Sequence, residues 1–136
     1  MTPIASAPRA PYALEATTFP FPALATMAGR APLGGPRELA LACFLVGRIV
    51  RDAVSRSAAL TADQLQTRAT GAKHWLGSAA ISAPVRIALA RLCEATGNGD
   101  RIAIKAALDG VITVTANQLD LAARLELGRL AQAIVE

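Results

Sequence analysis

Aromatic side chains are few in this sequence: three phenylalanines, one tryptophan and one tyrosine in 136 residues. A core made from such a chain is aliphatic, with alanine and leucine in contact between closely approaching helices. Histidine is scarcer still. His74 is the only one, and its neighbours on a helix surface, Thr70, Gly71 and Lys73, include no carboxylate or cysteine to orient it for catalysis or metal binding. The two cysteines, Cys43 and Cys93, fall within apolar helical faces and far apart, so they read as small buried hydrophobes rather than a disulfide. No His/Cys/Asp/Glu group has metal-ligand spacing. Neither a metal nor a cofactor is expected.

Other absences narrow the function. No carboxylates pair at i, i+3 or i+4 in an apolar setting: Glu94, Asp100, Asp109, Asp120 and Glu126 each suit a helix cap or a solvated face. The serines have no nearby base. Gly34-Gly35 before a helix lacks the Gly-Lys-Ser/Thr of a phosphate loop. The expectation is a non-catalytic protein with no evident small-molecule substrate. The longest apolar run, Leu39–Gly47, is about half the roughly 20 residues that span a bilayer. There is no basic segment leading into an apolar one at the amino terminus, so no membrane span and a cytoplasmic location are expected. No run of five like charges marks a binding tail.

What is abundant is helix-forming and apolar. Hydrophobic residues make up 53% of the chain and the mean hydropathy is +0.38. Twelve arginines and two lysines oppose ten acids, for a net charge of +4. The basic residues are spread over every predicted helix, which suits a soluble basic surface better than a nucleic-acid patch. We expect an all-α fold, a small bundle of about five helices over 36–136, preceded by an extended Pro/Ala-rich arm over 1–35.

The bundle is organised around residues 37–56. Leu39, Cys43, Val46, Val50 and Ala53 share one face, with Arg48, Arg51 and Asp52 opposite or flanking. Leu41, Phe44 and Leu45 continue what should be the polar side, so the first half of this helix needs cover all round. Thr61-Ala62-Asp63-Gln64 is a capping box opening the second helix, with Gly71 as a possible close contact and Trp75 as a bundle-edge or partner residue. Ser82-Ala83-Pro84 starts the third, Gly97-Asn98-Gly99 ends it, and Asp100 caps the fourth. The β-branched stretch Val111–Thr115 could be a strand, but it has no partner strand, so it continues the fourth helix. The last helix, capped by Asp120 or by Thr115 with Gln118, has a wide apolar surface that includes Leu121 and Leu125.

Two functions from different classes fit these features. The favoured one is an interaction or assembly subunit that binds a protein partner, or itself, through Leu41, Phe44, Leu45 and Trp75. Phe19 and Phe21 of the Phe-Pro arm would either dock on that partner or fold back on their own bundle. The alternative is a DNA-binding regulator. Ala106, Gly110, Val111 and Thr115 match part of a helix-turn-helix within 101–124, which would display Thr113, Asn117, Gln118 and Arg124 to DNA. Against it, Ile112, Val114 and Leu121 share that surface, and Asp109 and Asp120 would repel phosphate.

Overall fold

Local signals account for most of the helix boundaries. A computed structural model describes residues 21–30, 36–55 and 60–135; Phe19 and the rest of 1–20 lie outside the described residues. Helix α1 spans Pro22–Arg30 and α2 spans Pro36–Val54, followed by α3 (Ala62–Leu76), α4 (Ala83–Asn98), α5 (Arg101–Thr115) and α6 (Leu121–Val135). The described residues are all-helical, without a strand. Five helices from Pro36 onward agree with the sequence. A sixth helix, α1, lies within residues 1–35.

The caps that start α3, α5 and α6 and end α4 are the expected ones, while Ser82 at the start of α4 makes no side-chain cap hydrogen bond. Thr61 Oγ1 accepts from Gln64 N at 3.1 Å while Gln64 Oε1 accepts from Thr61 N at 2.9 Å, closing the capping box of α3. Gly99 ends α4 in the left-handed region, φ 71°, where a residue without Cβ fits best. Asp100 Oδ1 then accepts from Ile102 N and Ala103 N, and Asp120 Oδ1 accepts from Ala123 N at 2.9 Å. Val111–Thr115 is helical, and the threonine hydroxyls are satisfied locally: Thr113 donates to Asp109 O and Thr115 to Val111 O. That back-bonding removes the polar cost of a β-branched stretch whose valines face the core.

Helix α2 is central in space as well as in the sequence. It packs on α1, α3, α4 and α6, while α4 lies between α3 and α5, and α6 closes against α5, α2 and α1. Its Leu39, Ala40, Cys43, Val46 and Val50 are buried in one continuous core with Leu89, Leu108, Leu127 and Leu130. Arg51, expected on the polar side, is only 6% exposed. It is tolerated there because Nε and Nη2 both donate to Asp52 Oδ1, at 3.2 and 2.9 Å, and a buried guanidinium needs such a partner.

The close-contact glycine of α3 and α4 is Gly97, not Gly71. A Cβ on Gly97 would stand 2.8 Å from Gln66 Oε1 and 3.1 Å from Ala69 Cβ, whereas one on Gly71 would meet nothing within 4 Å. Two arginines donate to carbonyls at or just past helix carboxyl ends. Arg86 donates to Leu76 O, Ala79 O and Ile81 O at 2.9 to 3.0 Å, and Arg101 Nη2 donates to Ile134 O at 2.9 Å. A cation on orphan carbonyls also complements the helix dipole.

Burial pushes both thiols, Cys43 and Cys93, up from 9.0 to about 12. They are protonated at neutral pH, so an alkylating reagent should label neither in the folded chain and both after unfolding. Between about pH 9 and 12 the unfolded chain releases thiol protons that the folded chain keeps, so stability falls as pH rises through that window. The limiting slope is about 1.4 kcal/mol per pH unit for each thiol. Urea unfolding across this range should show the fall, and Cys43→Ala should flatten it; a slope the same with and without Cys43 would contradict the assignment.

Candidate interaction surface

Helix α2 carries apolar side chains on more than its core face. The core takes one side. Helix α1 takes a second: Phe21, 1% exposed, rests on the notch left by Gly47, where an added Cβ would lie 3.4 Å from the ring. The same ring meets Phe44 edge-on, with centroids 6.3 Å apart and planes at 81°, a favoured geometry for an aromatic pair. Phe21 is thus covered by its own bundle.

The anchoring of α1 is completed from far away. Phe21 is its N-cap by position, since Phe21 O accepts from Ala25 N at 3.0 Å, yet a phenylalanine has no side-chain acceptor for the free amides. Glu126 of α6 supplies one: Oε2 accepts from Ala23 N at 2.6 Å and Oε1 from Leu24 N at 3.1 Å. Glu126 is only 4% exposed, so it is not on a solvated face, and it caps a helix 103 residues away. Phe21 itself has φ 50°, a conformation that costs about 1–3 kcal/mol in a bulky residue and persists only where the surroundings enforce it.

The remaining side of α2 is left half-covered. Leu41, Phe44, Leu45 and Ile49 are all of intermediate exposure. Leu45 and Ile49 line an open cleft of ≈ 300 Å³ between α2 and α3, together with Arg48, Asp52, Arg68, Gly71 and Ala72. Gly71 is exposed, and a Cβ there would meet nothing within 4 Å. Trp75, half-buried against the core, lies one turn beyond Ala72 on the same face of α3, and Leu41 one turn before Leu45 on α2. Of the expected partner-binding residues on α2 and α3, Leu45 lines the cleft, while Phe44 and Trp75 pack in part against the core.

Charge is concentrated at the mouth of this cleft. Asp52 accepts from Arg51 through one oxygen and from Arg68 Nη1 through the other, at 3.1 Å. Among the described residues Arg48 has no ion-pair partner; its guanidinium carbon stands 5.7 Å from the Phe44 ring centroid, within cation–π range. Sequence reasoning missed Arg48, Ile49, Asp52 and Arg68. The spacing Leu41, Leu45, Ile49 was a usable signal, but the meeting of α2 with α3 was not visible in either helix alone. A smaller cleft of ≈ 140 Å³ lies between α3 and α4, lined by Gln66, Lys73, Cys93 and Glu94. There the exposed Glu94 carboxyl is held below its usual range by hydrogen bonding to Lys73.

The helix-turn-helix residues do not assemble. Helix α5 runs unbroken from Arg101 to Thr115, so Gly110 lies within a helix instead of a turn, and Ala106 is exposed where a packed alanine is needed. Thr115 is fully buried and ends a helix instead of opening one. Thr113, Asn117 and Gln118 are exposed, but Thr113 Oγ1 and Gln118 Nε2 turn back to Asp109 O and Val114 O. Arg124, half-exposed on α6, keeps a shielded Nε without a hydrogen-bond partner.

Among the described residues no three His, Cys, Asp or Glu side chains could hold a metal ion. Also among them, no helix is long and apolar enough to cross a membrane. Compared with known protein families, curated proteins and solved structures, the chain matches none.

Proposed function

We propose that this chain is a non-catalytic interaction or assembly subunit that binds a partner protein through the half-covered side of α2. The observation that supports this reading is the open cleft in which Leu45 and Ile49 remain accessible after α1, α3, α4 and α6 have all packed on the same helix. An apolar strip left at the centre of a bundle, rimmed by charge, is the usual form of a protein-binding site. Burying it would contribute about 25 cal/mol per Å² before the entropic cost of association.

Leu45→Lys tests the reading. The substitution places a charge on the strip while α2 keeps its core face, so helicity should be retained. Tagged wild-type chain recovered from its native cells should carry a stoichiometric companion, a second copy or another protein, detected by light scattering and by composition. The variant should lose it. A wild-type chain that is monomeric and companion-free in both measurements overturns the proposal, as does a companion that Leu45→Lys retains.

A further inference from the structure

We infer that the occupant of the α2–α3 cleft is an acidic amphipathic helix of a partner protein, its apolar face on Leu45, Ile49 and Ala72 and its carboxylates at Arg48 and Arg68; this deepens the assembly reading and rests on it. Two side-by-side helices with apolar residues one turn apart form a groove that accepts side chains at i, i+4 and i+7 of a third. The open space beside Gly71 leaves room for a partner side chain against the cleft wall.

Charge selects the partner. Two guanidiniums, of Arg48 and Arg68, line the cleft with a single carboxylate, that of Asp52. Arg51 and Arg68 already share that carboxylate, and Arg48 faces none. The rim therefore holds surplus positive charge beside an apolar floor. It is met by a segment with Asp or Glu flanking Leu, Ile or Phe, and a neutral or basic segment leaves it unanswered. Arg48 is also positioned in advance by the Phe44 ring, which lowers the ordering cost of a new ion pair. A second copy fits less well. The chain's own exposed apolar stripe, Leu121 at 61% and Leu125 at 58% exposure on α6, is flanked by Arg124 and Arg129, and the adjacent acids, Asp120 and Glu126, are both engaged as helix caps.

The test is selection from a display library of random helical 18-residue peptides on the full chain and on Arg48→Glu, a surface variant that loses only a ring contact. Enriched peptides should carry apolar residues at i and i+4 with flanking Asp or Glu. A synthesised member should shift the emission of Trp75, the only tryptophan. Arg48→Glu should weaken it about tenfold at physiological salt, less at high salt, and Arg68→Gln should weaken it in the same direction. Replacing the peptide's acids by lysine should restore binding to Arg48→Glu. Enrichment of apolar peptides without acidic bias, bound equally by Arg48→Glu, overturns the charge selection but leaves the assembly reading intact. No enrichment on the folded chain removes the cleft as a docking site, and the assembly reading then stands or falls on Leu45→Lys.

Discussion

Phe21→Ala is expected to destabilise the protein by about 3 kcal/mol and to release α1 from the bundle. Removing a fully buried phenylalanine costs about 3–5 kcal/mol where the surroundings cannot collapse, and here the ring is the main side chain linking α1 to Gly47 and Phe44. The lower end is expected because, among the described residues, α1 packs mainly on α2 and α6. It can detach without unfolding α3 to α5, so the loss is capped at the free energy of docking. Alanine also inherits the positive φ of Phe21 without the packing that enforced it. Hydrogen exchange should show the amides of α1 opening while those of α4 and α5 stay protected. Equal protection of α1 in the variant and the wild type would mean that the ring does not hold the helix.

Glu126→Ala is expected to cost about 2–3 kcal/mol by the same route. The carboxylate serves two amides at the amino end of α1, and each buried N–H left without a partner costs about 1–3 kcal/mol. Part of that loss is recovered when the freed end reaches water, and the favourable interaction of the charge with the helix dipole is lost as well. Glu126→Gln should fall between, because its amide offers one acceptor and turns a donor toward the second N–H. Since both residues hold one helix, their effects should not add: Phe21→Ala with Glu126→Ala should cost little more than the worse single change. Chemical denaturation of the four proteins measures this, and full additivity would show that the ring and the carboxylate hold different parts of the molecule.

These two residues mark where sequence reasoning ran out. The starts of α3, α5 and α6 and the end of α4 were legible because their caps lie within three residues of the helices they serve: Thr61 with Gln64, Asp100, Asp120 and Gly99. Helix α1 was not legible. It is nine residues long, begins after a phenylalanine in a proline-rich stretch, and has its cap on another helix. A segment of that length is marginal alone and forms because it packs. The candidate site divides in the same way. That Leu41, Phe44 and Leu45 exceed what one buried face requires was evident from their spacing. Which of them the chain would cover was not, because the cover for Phe44 comes from Phe21.

The all-helical class, the five helices after Gly35 and the aliphatic core were determined by the sequence alone, since periodicity and capping act over a turn or two and are written in adjacent residues. Only the tertiary structure decided that α1 straps α2, that Gly97 rather than Gly71 is the point of close approach, and that Asp52 gathers two arginines at the mouth of a cleft. Each of those depends on which surfaces meet across tens of residues, and burial and ion pairing take their energy from that meeting and not from local spacing.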